Sequence, residues 1–261
     1  MPVVRFAPSA NTGGDFTPFT FILAARTSVE FRPLGDCAVT VTVGSRIDEP
    51  TRARILSLCA ALDSRGVPGM TEFVPAFASL TVHYDPARVP PGPTDATPYA
   101  RFSTALRHVL QGAADGPSDP PRVVEIGVVY GGEYGPDIED VARRAGLPVE
   151  QVIRLHTGAE YVVHMVGFIA GFGYLGGLPS QLATPRRATP RTRVPASSVG
   201  IGGSQTGVYP VDSPGGWNLI GRTPLRMFDP AREPATLLRT GDRVRFISIT
   251  PDELDRAGSP A

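Results

Sequence analysis

Residues 198–210 read SVGIGGSQTGVYP, in which short apolar runs alternate with glycine and no helical period develops. Residues 161–166 resemble a strand, and from there to residue 250 glycine, proline and threonine separate short apolar runs in the same way. Over residues 242–249, Val244, Phe246 and Ile249 indicate a closing strand. Many short strands separated by turn residues are typical of a barrel rather than a helical bundle. We therefore expect residues 122–252 to form a β-barrel with two small helices.

A different pattern precedes the barrel region. Within residues 38–43 (AVTVTV), the valines at 39, 41 and 43 alternate with the threonines at 40 and 42, as in a half-buried strand. Asp48 followed by Pro50 marks the start of a helix that Gly66 ends. Two more strands and a second helix follow, which gives the order ββαββα. We expect a small α/β domain over residues 28–111, so the predicted fold class is α+β and mainly β.

Three segments lie outside these two domains. Residues 112–121 (GAADGPSDPP) have the composition of a linker. Residues 1–27 hold one short apolar stretch without the basic start of a signal peptide, so we expect a flexible tail, and a second tail over residues 253–261. No apolar run approaches the roughly 18 residues that span a membrane, and the two cysteines form no CxxC motif. We expect a cytoplasmic protein that does not bind membranes.

Composition excludes several classes of protein. All 25 basic residues are arginine and they balance 25 acidic residues. Nucleic-acid-binding domains usually carry a basic excess, so we expect no nucleic acid partner. Without lysine there is no P-loop lysine, no Schiff base and no biotin or lipoyl attachment, hence no covalent cofactor. A phosphate or carboxylate would have to be bound by arginine, histidine or backbone N–H groups.

Two glycine motifs need separate interpretation. Residues 171–176 match GxGxxG, but Gly177 and Pro179 prevent the helix that a dinucleotide site needs, so we interpret the motif as a tight turn. Residues 200–207 (GIGGSQTG) resemble a phosphate-binding loop. They are equally well explained as a nest of backbone N–H groups for an anion or as a plain turn between strands.

Three titratable residues, His156, Glu160 and His164, are spaced four apart. On one helix they would share a face and could bind a metal, but Gly158 interrupts the helix. We expect no metal site. A structural or catalytic His156, with Glu160 as its partner, is the better interpretation.

Four arginines lie in a proline-stiffened segment. They are either part of a solvated surface or a clamp that binds carboxylate or phosphate through two N–H groups at once. Prolines 185, 190 and 195 would hold such a clamp in place before ligand arrives. The four are Arg186, Arg187, Arg191 and Arg193.

Seven motifs of the barrel region occur in a fixed order. They are VYGGEYGPD (129–137), LHTGAEY (155–161), GFGYLGGLP (171–179), TPRR (184–187), VPA (194–196), SVGIGGSQTGVYP (198–210) and SPGGWNLIGRT (213–223). In these motifs the chain resembles the family of the B-type subunit of 5-oxoprolinase, also called allophanate hydrolase subunit 1, which includes Kip-type inhibitors of a histidine kinase. Where this family usually carries two prolines, the chain has Ala170 and Gly173, so we expect a less rigid loop.

The resemblance implies a cyclophilin-like barrel behind the small α/β domain. It implies a complex with an A-type subunit and a C-type subunit, the latter related to allophanate hydrolase subunit 2. Such a complex uses ATP to hydrolyse the lactam of 5-oxoproline, a small-molecule substrate, to L-glutamate. The choice of subunit for ATP binding stays open. Two alternatives also stay open: a Kip-type inhibitor of a histidine kinase, and subunit 1 of an allophanate or other amide hydrolase.

Motif position also suggests site residues. His156 and Glu160 are the candidate acid–base pair. The candidates for binding substrate or another anion are Arg187 and Arg191 as a clamp, Gln205, Thr206 and Tyr209 on the glycine-rich loop, Trp217 as a wall, and Arg222 as a second charge.

Overall fold

The computed structural model describes residues 3–6, 19–22, 29–46, 48–92, 96–111, 113 and 122–258. Strands β1 (Val3–Phe6) and β2 (Phe19–Ile22) pair antiparallel. The remaining residues of the expected tail 1–27, most of the expected linker 112–121, and residues 259–261 lie outside the described residues. No helix in the described part of the chain combines the length and apolar character needed to cross a bilayer.

The first domain is a four-stranded antiparallel sheet with two helices, in the order β3-β4-β6-β5 along the sheet. Its elements are β3 (Glu30–Pro33), β4 (Ala38–Thr42), α1 (Glu49–Arg65), β5 (Met70–Pro75), β6 (Ser79–Tyr84) and α2 (Pro98–Gln111), with a 3-10 turn at Pro86–Arg88. The predicted ββαββα order is therefore present.

Helix α1 begins and ends where the sequence places its signals. The Asp48 carboxylate accepts the Thr51 N–H at 3.0 Å, which satisfies one of the free donors of the first turn. Gly66 ends the helix with a φ of 61°, in the left-handed region that glycine adopts without strain. The apolar face packs into the sheet, where each buried leucine or isoleucine contributes about 1.5–3 kcal/mol.

The second domain contains a closed seven-stranded barrel in the order β11-β12-β9-β8-β15-β7-β14. Its elements are β7 (Val123–Tyr130), α3 (Ile138–Ala145), α4 (Val149–Gly158), β8 (Glu160–Val166), β9 (Gly173–Gly176), β10 (Arg191–Val194), β11 (Ser198–Gly202), β12 (Gln205–Val208), β13 (Ser213–Gly215), β14 (Asn218–Arg222), β15 (Arg243–Ser248) and α5 (Pro251–Gly258), with a 3-10 turn at Ser180–Leu182. Strands β10 and β13 pair with each other outside the barrel. The predicted fold class is confirmed.

The GxGxxG motif at residues 171–176 forms a strand and a tight turn. The GxGxxG segment contains strand β9 and no helix. Gly177 follows it with a φ of 102°, and a Cβ there would stand 2.7 Å from the Glu160 carbonyl, so only glycine fits this turn.

At the C-terminus, helix α5 occupies most of the segment expected to be a tail. Thr250 and Glu253 cap it reciprocally, because the Glu253 carboxylate accepts the Thr250 N–H at 2.7 Å.

Candidate functional site

The single tryptophan, Trp217, is buried against the glycine-rich hairpin of β11 and β12. A Cβ on Gly202 would lie 2.5 Å from the indole Nε1, and one on Gly207 would lie 3.3 Å from Cζ3. A side chain at Gly202 would therefore force the indole to move. Of the two interpretations of residues 200–207, the structure has the hairpin between barrel strands, and its glycines make room for Trp217.

Four aromatic side chains meet at this end of the barrel, and we call them the aromatic cluster: Phe172, Tyr174, Tyr209 and Trp217. The Phe172 ring contacts the other three edge-on, with centroid distances of 4.9 Å to Tyr174 and 5.3 Å to both Tyr209 and Trp217. Edge-to-face pairs of this kind are favourable beyond the area they bury. The cluster is therefore a tightly packed core in which three rings are buried and Tyr174 is partly exposed.

An arginine-bearing segment, residues 185–191, crosses this cluster, and we call it the arginine strap. Its backbone is tied to the segment leading into Trp217, because the Arg187 N–H donates to the Gly216 carbonyl at 2.7 Å. The guanidinium carbon of Arg186 stands 6.0 Å from the Trp217 ring centroid. The strap thus places the exposed charge of Arg186 over the ring of Trp217.

The two arginines expected to form a clamp do come together, and they share a carboxylate of the protein itself. Arg187 Nη1 and Arg191 Nη2 donate to Asp137 Oδ1 at 3.0 and 2.8 Å. The Leu219 N–H donates to Asp137 Oδ2 at 2.7 Å. The Asp137 side chain is only 5% exposed. Two guanidinium groups share one carboxylate, so a positive charge remains.

The Tyr209 hydroxyl lies beside the strap. Burial raises its pKa, while the Trp217 backbone N–H and the positive charges of Arg186 and Arg191 act in the opposite direction. A side chain at position 215 would overlap the hydroxyl, which shows how closely the Gly215 backbone approaches it. Tyr209 therefore belongs to the same site as the strap.

His156 lies in the barrel interior, with no exposed surface. Its Nδ1 is 2.8 Å from the Tyr130 hydroxyl and its Nε2 is 3.0 Å from Thr206 Oγ1. The Thr206 hydroxyl donates its one proton to the Gly200 carbonyl, so it accepts from Nε2–H and leaves Nδ1 to accept from Tyr130. Burial lowers the pKa of His156 to about 3, and the ring is neutral.

Glu160 is not the partner of His156. Its carboxylate is on the barrel exterior, paired with Arg243 and, at 3.2 Å, with Arg245. His156 is on α4, whereas Glu160 and His164 are on β8, so the four-residue spacing does not place all three on one face of a helix. Among the described residues no three His, Cys, Asp or Glu side chains are grouped to hold a metal ion.

The structure thus divides the expected site residues into three groups. Arg187, Arg191, Tyr209 and Trp217 form one site, and His156 and Thr206 form a buried hydrogen-bonded pair. The remaining members lie apart: Glu160 on the exterior, half-buried Gln205 at the start of β12, and Arg222 at the end of β14, where its charge helps to lower the pKa of Asp212 after the Ala196 N–H and Arg193.

A side chain of the first domain contacts the aromatic cluster. Phe77, in the turn between β5 and β6, contacts Tyr174 edge-on at 5.7 Å and lies 6.1 Å from the His164 ring. Burial lowers the pKa of His164, and the charge of Arg52 on α1 acts in the same direction while Glu49 opposes it. The site therefore lies where the two domains meet, a common position for ligand sites.

Phe168 is the most exposed large apolar side chain near the cluster. It is 66% exposed, contacts Phe172 edge-on at 5.9 Å, and has a φ of 72°. A phenylalanine in the left-handed region is strained, and such strain concentrates at functional positions. Phe168 belongs to the loop before β9, which contains Ala170, while Gly173 is the first residue of β9.

The family model of the carboxyltransferase domain, subdomain C and D, matches residues 29–238. The chain belongs to this family. Similar relatives include proteins named as the B-type subunit of 5-oxoprolinase from Bacillus subtilis (strain 168), 44% identical over 225 residues, and Escherichia coli O157:H7, 43% identical over 216 residues. These matches cover 85% and 82% of this chain and 93% of each relative.

A solved structure of the protein TTHA0988 is similar to this carboxyltransferase-domain chain, with a TM-score of 0.71 at 38% identity. The match covers 82% of this chain and 40% of that one. The chain thus spans less than half the length of that solved protein.

Sequence reasoning missed three contributors to the site: Asp137, Tyr174 and Phe77. Asp137 immediately precedes α3, where a capping residue would stand, but its side chain makes no capping hydrogen bond. Four arginines within residues 186–193, with no acidic residue among them, could have prompted a search for a distant acid that pairs with them. Phe77 gave no signal, because nothing local indicates that this turn meets the second domain.

Proposed function

We propose that this chain is the B-type subunit of an ATP-dependent 5-oxoprolinase, which acts with the A-type and C-type subunits to hydrolyse the lactam of 5-oxoproline to L-glutamate. The observation that carries the proposal is the similarity to two relatives named for that subunit over 93% of their length. The family match over residues 29–238 is consistent with it.

The chemistry explains why ATP and several subunits are needed. A lactam is unreactive, and transfer of the terminal phosphoryl group of ATP to its oxygen releases ADP and activates the carbonyl carbon. Water then adds to that carbon, the ring C–N bond breaks with the nitrogen leaving as the amine of glutamate, and a second water releases phosphate. ATP is a cofactor of the complex, and the proposal leaves open which of the three proteins binds it. We place the complex in the cytoplasm, where ATP is available. The arginine strap and the aromatic cluster are the parts of this chain that we assign to the substrate.

The proposal does not use His156 and Glu160 as an acid–base pair. His156 has both ring nitrogens engaged, and burial lowers its pKa to about 3. Glu160 is paired with two arginines elsewhere. We assign His156 a structural role, in which it supports strand β12. We assign proton transfer to groups on the partner proteins.

The test is 5-oxoproline-dependent ATP hydrolysis, with glutamate measured in parallel, by this chain with the A-type and C-type subunits and by the same mixture without it. Activity that requires all three components is the expected result. A stable complex with no such activity would refute the substrate and favour another amide. If no complex forms, the proposal fails, and inhibition of a histidine kinase becomes the next hypothesis to measure.

A further inference from the structure

The two arginines that bind Asp137 have N–H groups without a hydrogen-bond partner in the described part of the chain. Arg187 Nε and Arg191 Nη1 are buried, and neither has a hydrogen-bond partner among the residues that the structure describes. Each arginine donates to Asp137 from a different nitrogen of its guanidinium group, Nη1 in Arg187 and Nη2 in Arg191. Buried N–H donors without partners are uncommon in native proteins, and those of a charged group are the most costly to leave unused.

The charges around the strap favour an anion there. Asp137 neutralises one of its two arginines, and Arg186 adds a third guanidinium over Trp217. Arg193 does not contribute to this excess, because it pairs with Asp212 at 2.5 Å on the exposed side. Arginine N–H groups suit a planar carboxylate, which accepts from two donors at once.

The surroundings indicate what carries the carboxylate. The half-buried Tyr174 ring lies 6.1 Å from Trp217, the ring over which Arg186 stands. The largely exposed Phe168 extends the same cluster through its contact with Phe172. The charges of Arg186 and Arg191 both act on the Tyr209 hydroxyl, as does Tyr174, so charge and aromatic surface lie together. A compact ligand with a carboxylate at one end and an apolar ring face at the other fits this arrangement.

We propose that Arg187 and Arg191, oriented by Asp137, form the subsite for the carboxylate of a small cyclic amide, with the ring against Tyr174. Asp137 is a positioning residue: it holds the two guanidinium groups while their free N–H groups bind the ligand. This proposal rests on the proposed function for the identity of the ligand. The requirement for a carboxylate stands on the arginine geometry alone.

The first test compares two probes on the full chain by calorimetry or NMR titration. L-5-oxoproline carries the carboxylate, and 2-pyrrolidone is the same lactam without it. We expect the wild type to prefer L-5-oxoproline by roughly tenfold or more, and Arg191→Ala and Arg187→Ala to remove the preference. Arg193→Ala is the matched control and should keep it. Equal binding of both probes, or a preference that survives in folded Arg191→Ala, would overturn the proposal.

Two further measurements apply if a variant does not fold or if the isolated chain does not bind the probes. If Arg191→Ala does not fold, Arg191→Lys retains the charge but loses the planar guanidinium fork, which donates to Asp137 and to the ligand from separate nitrogens. Arg191→Lys should therefore still weaken L-5-oxoproline binding severalfold. If the isolated chain binds neither probe, the titration is repeated with the complex, where Arg191→Lys should raise the KM for L-5-oxoproline with little change in kcat. An unchanged KM would refute the subsite.

The role of Asp137 as a positioning residue has its own readout. Asp137→Asn keeps the shape but removes the charge that orients both arginines, so the preference for L-5-oxoproline over 2-pyrrolidone should fall while Asp137→Glu partly restores it. Acetate separates the two proposals. Binding of acetate that depends on Arg191, in a complex without 5-oxoproline-dependent ATP hydrolysis, would refute the proposed function and retain the carboxylate subsite.

Discussion

At the scale of single residues, Asp137 is the residue on which the arginine strap depends. Asp137→Asn leaves two guanidinium groups facing each other without a compensating charge. We expect a loss of about 2–3 kcal/mol in the free energy of unfolding, below the usual cost of breaking a fully buried pair because both arginines are partly exposed. Urea denaturation measures it. Asp212→Asn removes an exposed pair and serves as the control; an equal loss there would contradict the prediction.

His156 predicts a specific pH dependence of stability. Burial lowers its pKa to about 3 in the folded state, against about 6.5 in the unfolded chain. Between these values the unfolded state binds the proton and the folded state does not. Stability therefore falls as the pH falls from about 6.5 to 3, and His156 contributes about 1.4 kcal/mol per pH unit to that slope.

The measurement for this prediction is the unfolding free energy at several pH values between 6.5 and 4. His156→Gln keeps hydrogen-bonding groups near Tyr130 and Thr206 but cannot titrate, so its slope should be shallower than the wild type. His108→Gln, on an exposed helix position, should leave the slope as it is. Parallel slopes for wild type and His156→Gln would show that the histidine is not the cause.

At the scale of elements, Trp217 packs so closely on the β11–β12 hairpin that a side chain at Gly202 would collide with it. Gly202→Ala would place a Cβ 2.5 Å from the indole, so we expect a destabilisation of about 1–3 kcal/mol and a shift in Trp217 fluorescence, since it is the only tryptophan. Thermal unfolding followed by fluorescence measures both. Gly158→Ala meets nothing within 4 Å at the end of α4 and should change neither.

The elements also show what a sequence can predict. Helix α1 follows from Asp48, Pro50 and Gly66, because caps and stops are local signals. The barrel follows from short apolar runs between turn residues. Helix α5 was missed, although Thr250 and Glu253 form a capping box that local reasoning could have used.

The site was predictable only in part, since its contacts join distant parts of the chain. The arginine pair followed from composition and motif position. The acid that holds it is 50 residues from Arg187 and 54 from Arg191, and no local pattern links them. His156 was identified as important for its residue type, but its burial depends on the closed barrel.

At the scale of the whole molecule, Phe77 connects the first domain to the aromatic cluster. A double-mutant cycle of Phe77→Ala and Tyr174→Leu should give a coupling energy of about 0.5–1.5 kcal/mol, because the rings touch edge-on. Unfolding free energies of the four proteins give this value. Val74→Ala, at an exposed position of β5, is the control and should show no coupling to Tyr174→Leu. A coupling near zero for Phe77 would mean that the first domain does not support the cluster.

The barrel is closed by its first and last strands, which lie side by side and parallel, with Val123 opposite Arg243. The Arg122–Asp242 ion pair joins residues 120 positions apart at the same edge. During synthesis on the ribosome, β7 emerges long before β15, so an edge of the growing sheet stays open until the end of the domain is made. Such non-local closure is slow and exposes unpaired backbone. A chain that stops before residue 243 should therefore aggregate or be degraded, whereas one that stops after residue 258 should fold.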